Sequence, residues 1–254
     1  MDKLKDFFGV YLDGTIRCGI FSTPHLIWLF SMAIVWIFIL IFFKNKKKHT
    51  QDIFLYFLVF IIILTEILRY YVFISNNILR SFVDLAPFHI CGFMVFVTCF
   101  AVFFRNKILM NFCYAFSFTA TIFGVLTPIA ITFPPLSFVY VQGMLSHGIM
   151  FLIAMFFIVD CGFRPEVKYL PRISAIFFGV AFLVIAPLNY IFNANWFFIA
   201  WAPKGTPIEI LENLVGWPGY IGVLFVILMI LWTIMYLPFY IAEKFKEKQK
   251  GVFN

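Results

Sequence analysis

Residues 23–49 read TPHLIWLFSMAIVWIFILIFFKNKKKH, and this stretch decides the fold. From Thr23 to Phe43 there is no charged side chain; from Lys44 onward four of five residues are lysine. A helix needs about 20 apolar residues to cross a hydrocarbon core. A basic cluster directly after such a run marks the cytoplasmic end. The rest of the chain repeats the pattern. Apolar runs cover roughly 53–74, 84–104, 108–128, 142–163, 170–192 and 217–240, with short connections between them. The expectation is an all-α polytopic membrane bundle of seven transmembrane helices, a single domain over 1–254. An interfacial helix at about 2–13, a short outer helix at about 207–215 and a basic cytoplasmic tail at 243–254 complete it.

Composition agrees. The 254 residues are 63% hydrophobic and 12% charged, with 38 phenylalanines. A soluble domain runs nearer half apolar and a quarter charged. The net charge of +7 arises from short basic runs between apolar segments, a pattern that orients a membrane protein and grips no nucleic acid. Five cysteines, an odd number partly inside apolar runs, predict no disulfide framework. The first twenty residues carry too many charges for a secretory leader.

Basic residues also set the direction. Lys44, Lys46, Lys47, Lys48, Arg105, Lys107, Arg164, Lys168, Arg172, Lys244, Lys246, Lys248 and Lys250 fall on one side. Only Lys3, Lys5, Arg17, Arg80 and Lys204 fall on the other. The reading is N-terminus outside and C-terminus in the cytoplasm of a plasma-membrane protein. With that direction, the ionisable and amide side chains share one depth. His25, His89, Cys91, Gln142, Ser146 and His147 lie near outer helix ends. Glu66 and Arg69 lie in the outer half of the second span, and Asn189 near the outer end of the sixth. Charged groups at membrane depth are costly and mark function or a paired structural role. Glu66 and Arg69, spaced i, i+3, are either a structural ion pair or part of a binding site.

The densest chemistry is Pro87-Phe88-His89-Ile90-Cys91-Gly92 with Ser146-His147-Gly148 two spans later. A thiol attacks acyl groups when a nearby imidazole takes its proton. His89 and Cys91, two apart, cannot share a helix face. The expected pair is therefore Cys91 and His147, with His89, His25, Glu66, Arg69 and Asn189 as substrate-binding candidates. Cys91 is expected about two turns into a span, where the helix dipole has faded. The other cysteines read as packing residues. No lysine lies within any expected span, so no retinal Schiff base is possible.

The strings FSTPHL, LAPFHICG, FGVLTP, LSHGIMF, CGFRP, NYIFN, GWPGY and YLPF occur in this order. Through them the chain resembles the YwaF-like seven-helix bacterial membrane family, related to eukaryotic transmembrane protein 164. The resemblance implies a cysteine-dependent acyltransferase moving a fatty acyl chain between phospholipids, with Cys91 and His147 at the positions of its essential cysteine and histidine. The function expected is thus a lipid acyltransferase or acylhydrolase at the outer leaflet, with membrane lipids as partners and no cofactor. Two alternatives stay open. One is a transporter or receptor with an outward polar pocket for a small solute. The other is a zinc hydrolase using His25, His89 and His147, disfavoured by the lack of a paired His-x-x-x-His. Neither the lipid nor the oligomeric state is readable.

Overall fold

A computed structural model describes residues 7–9, 18–77, 81–127, 133–134, 136–204 and 206–252. Among these there is helix and irregular backbone but no strand. Six helical segments are long and apolar enough to cross a membrane: Thr23–Phe43, Lys48–Ser75, Lys107–Leu126, Phe138–Val159, Val167–Phe192 and Gly219–Gln249. The chain falls into two compact units, one of Met1–Pro87 with Cys91–Phe163, the other of Phe88–Ile90 with Arg164–Asn254.

The first unit contains α1 (Thr23–Phe43), α2 (Lys48–Ser75), the single turn α3 (Phe82–Leu85) and α4 (Ile90–Phe104). It continues with α5 (Lys107–Phe116), a π-helical turn (Ser117–Ile122), the single turn α6 (Phe123–Leu126) and α7 (Phe138–Val159). At its centre is α7, which packs against α1, α2, α5, the π-helical turn and α6. Gly148 lets α1 approach, since a Cβ there would overlap the Met32 Cε, and small residues are the usual means of helix association without a hydrophobic drive. By contrast α1 buries only His25 and Met32, and its Ile27, Phe30, Ile34 and Phe38 face outward, as a helix against lipid must. The Lys107–Leu126 segment changes hand-off midway. Ser117, Thr119 and Thr121 return their hydroxyls to carbonyls of Tyr114, Ala115 and Ser117, which loosens the regular ladder where the π turn forms.

The expected span 84–104 differs. Helix α4 begins only at Ile90, and the residues between it and α3 are not helical. Pro87 explains this: it lacks an N–H and disfavours the helical conformation at Ala86. Gly92 completes the corner, because a Cβ there would lie 2.9 Å from the Pro87 carbonyl oxygen. The 15-residue α4 is therefore shorter than the six long helices. Most of the interfacial helix expected at 2–13 lies outside the described residues; Phe7 and Phe8 pack on Phe138, with ring centroids 6.0 and 5.4 Å away.

The second unit holds α8 (Leu170–Gly179), a π-helical turn (Val180–Ile185), α9 (Ala186–Phe192), α10 (Pro207–Val215) and α11 (Gly219–Val252). Pro171 occupies the opening turn of α8, where a missing N–H costs nothing. Pro187 lies inside the continuous Val167–Phe192 helix, directly after the π-helical turn, where the regular ladder is already interrupted. Phe177 meets Trp232 edge to face at 6.1 Å. The short helix expected at 207–215 is present, and Gly216, at φ +70°, ends it. Thr206 stands at its N-cap but makes no capping bond with its side chain: the hydroxyl donates to the Pro203 carbonyl at 2.7 Å instead.

Candidate functional site

Helix periodicity assembles the polar residues of the first unit. Gln142 and Ser146, four apart on α7, share a face, and so do Glu66 and Arg69 on α2. The two faces meet. Glu66 Oε1 accepts from Gln142 Nε2 at 2.7 Å and from Ser146 Oγ at 3.3 Å. Its Oε2 accepts from Arg69 Nη2 at 2.7 Å and Nε at 3.0 Å. Four donors on one carboxylate satisfy it without water, which is how a charge persists where hydration is poor. Arg69 lies in addition over the Tyr70 ring, 4.6 Å from its centroid.

One residue on from Ser146, and so about a quarter-turn round α7, His147 faces a different neighbour. Its Nε2 is 3.0 Å from the Sγ of Cys91 on α4. Its Nδ1 is 2.8 Å from the Gly143 carbonyl oxygen, one turn back on the same helix. A carbonyl only accepts, so Nδ1 carries the proton in the neutral ring. Nε2 then presents its lone pair to the thiol. That is the tautomer a general base requires, fixed by backbone rather than by a carboxylate.

Helix α4's late start corrects the expectation for Cys91. The sulfur sits in the first turn and not two turns in. The N–H groups of Cys91 and Gly92 have no carbonyl one turn back within α4, and the positive end of the helix dipole lies at this turn. Cys91 is partly exposed, whereas Cys18, Cys99 and Cys113 are buried. Cys113 shows the contrast, its Sγ 3.8 Å from the Thr98 hydroxyl with no base at hand.

Other candidates are placed differently. His25 is fully buried, its Nδ1 accepting from the Phe21 N–H and its Nε2 donating to the Val125 carbonyl, both at 2.9 Å. Both nitrogens are thus engaged by backbone. Asn189 belongs to the second unit, where its amide closes a two-bond ring on the backbone of Trp196, 2.8 Å from the N–H and 2.9 Å from the carbonyl. His89, also in that unit, is exposed and lies 5.6 Å from the Phe198 ring. Among the described residues no three of His, Cys, Asp and Glu gather as metal ligands.

Gly124 was not singled out as a site residue from sequence. A Cβ at this position would overlap the Cδ2 and Nε2 atoms of the His147 ring. Its only sequence signal was membership of the FGVLTP string.

The sequence model of a family described as the TMEM164 family matches residues 20–236, most of the chain. No curated protein matches it, and no solved structure does.

Proposed function

The chain belongs to the TMEM164 family of membrane proteins, and from that premise we propose that it is a cysteine-dependent lipid acyltransferase or acylhydrolase. The observation that carries the proposal is the 3.0 Å approach of His147 Nε2 to Cys91 Sγ in the tautomer of a base. In the first half-reaction, His147 Nε2 takes the thiol proton while Sγ attacks the carbonyl carbon of a lipid ester. The carbonyl oxygen gains a negative charge, and the N–H groups of Cys91 and Gly92, in the first turn of α4, stabilise it. The carbon–oxygen ester bond breaks, the leaving hydroxyl takes the proton back from His147, and a thioester remains on Cys91. In the second half, water or the hydroxyl of a lysolipid gives its proton to Nε2 and attacks the thioester. The carbon–sulfur bond breaks and the thiol is restored. Arg69 holds an anionic part of the lipid at this site, with Glu66 fixing its orientation.

The proposed setting is the plasma membrane, N-terminus outside, with α4 and the backbone before it forming a seventh crossing. A 15-residue helix extends about 22 Å, short of the ~30 Å core, so the rest of that crossing is irregular backbone. Irregular backbone at membrane depth is tolerated only where protein or water satisfies it. This supports a hydrated pocket at the Cys91 end, open to the outer leaflet. Basic loops at the opposite helix ends support the orientation. Lipid mass spectrometry of cells with and without the protein, repeated with Cys91→Ala, tests the function. A shift in acyl-chain distribution that requires Cys91 is expected. Unchanged lipids, together with thermal stabilisation by a soluble metabolite, would instead point to a transporter or receptor.

A further inference from the structure

The four-residue turn α6 lies against the His147 ring, and one hydrogen bond ties it down from a distant part of the chain. Val125 is buried, and its carbonyl, in the last turn of a helix, has no acceptor role within that turn. His25 Nε2 donates to it at 2.9 Å across 100 residues of sequence. The Phe21 N–H donates in turn to His25 Nδ1, so this imidazole is held at both nitrogens. Gly124, the residue before Val125, presents bare backbone to the edge of the His147 ring that carries Nε2, with no room for a methyl group. The imidazole of His147 is thereby confined on two sides, by Gly124 and by the Gly143 carbonyl. A histidine χ2 is intrinsically broad, so ring orientation has to come from such surroundings.

We infer that His25 is a positioning residue for the Cys91–His147 pair: through Val125 it seats Gly124 against the His147 ring and so keeps Nε2 aimed at the sulfur. The inference rests on the reading of Cys91 and His147 as a working pair. Gly124 transmits the constraint, and its lack of a side chain is what permits the contact. His25 itself touches no reacting atom.

The test is alkylation of Cys91 by iodoacetamide in the full-length protein in detergent, read by peptide mass spectrometry at about pH 7 and about pH 9.5. At the higher pH any accessible thiol ionises unaided, whereas at the lower pH its reactivity depends on an adjacent base. The expected result for His25→Ala is a fall of about tenfold at the lower pH with little change at the higher. His25→Gln, which keeps a donor for Val125, restores most of the rate. Gly124→Ala, which leaves His25 intact, produces the same selective loss by displacing the ring, and it carries the test should His25→Ala fail to fold. Cys161 in the same digest serves as internal standard and is unaffected. If wild-type Cys91 is reactive near neutral pH and both variants leave its rate unchanged, the positioning role is overturned while the pair survives. If wild-type Cys91 reacts no faster than Cys161, the pair and the positioning role fall together.

Discussion

The middle of α7 and the turn just past its C-terminus carry matching parts and opposite chemistry. At the middle, Ser146 and His147 meet a cysteine, Cys91, and an arginine–carboxylate pair, Arg69 with Glu66. Just past the C-terminus, Cys161 meets Arg105, which is ion-paired with Asp52 and lies over the Phe157 ring. The difference lies in what touches the sulfur. Cys91 faces an imidazole nitrogen able to take a proton. Cys161 faces a guanidinium that only donates, at 3.5 Å, and burial pushes its thiol up from the ordinary range. A thiol beside a charged pair is therefore not by itself a nucleophile. A base within reach, in the right tautomer, separates the two sites.

The comparison breaks most visibly in the cysteines. Cys91→Ser and His147→Ala are expected to lower acyl transfer by about 10²–10⁴-fold, the range for loss of a nucleophile or its base. Cys161→Ser is expected to stay within about twofold. The check is release of labelled fatty acid or labelled lipid by purified protein in lipid-containing micelles. Equal losses at both cysteines would erase the distinction between the two sites.

Stability sharpens the contrast next. Glu66 collects four donors at 19% side-chain exposure, and Asp52, at 25%, is paired among the described residues with Arg105. Thermal unfolding in detergent should show Glu66→Ala costing about 2 kcal/mol, less than for a fully buried pair because water still reaches it. Asp52→Ala should cost about 1 kcal/mol, with activity retained. A reversed order would mean that the donor count around Glu66 does not set its contribution.

The smallest expected effect is a pH dependence at the Cys161 end. Both oxygens of Asp160 are buried without a hydrogen-bond partner among the described residues, and burial pushes its carboxyl up to about 6 against the pull of Lys44. Here the folded chain binds the proton more tightly than the unfolded chain. Its contribution is therefore fullest below the usual carboxylate range and is lost as pH rises through about 6. Melting temperature should fall by a few degrees between about pH 4 and pH 6.5, and Asp160→Asn should flatten that slope. A melting temperature rising over this interval in the wild type alone would contradict the assignment.

Sequence reading recovered different parts of the molecule for different reasons. Long apolar runs announce helices, and six of the expected segments are helices of spanning length. The seventh was misplaced at its start because the apolar residues on either side of Pro87 carry the run across it, whereas the backbone registers a missing donor. That shift moved Cys91 from about two turns into the helix to its first turn. His147 does approach Cys91 from a facing helix, as the spacing suggests, but the ground for setting His89 aside fails, because His89 lies before α4 begins and shares no helix with Cys91. The environments of His25 and Asn189 were not legible. Their partners are the backbone of Phe21, Val125 and Trp196, and backbone groups look alike at every position. Arg105 with Asp52 escaped notice for a related reason, since both stand at helix ends where charge is expected to be solvated. Gly124 shows the limit of composition most clearly, because its contribution is an absence of atoms beside a ring 23 positions later.

The most direct test of the central claim is to trap the acyl group. Purified protein is incubated with a phospholipid bearing an isotopically labelled acyl chain, quenched in acid and digested for mass spectrometry. The account predicts a labelled, hydroxylamine-sensitive acyl adduct on the peptide containing Cys91, lost in His147→Ala and never found on Cys161. Lipid conversion that proceeds unchanged in Cys91→Ala, or a wild-type protein that turns over lipid with no adduct on that peptide, would contradict it.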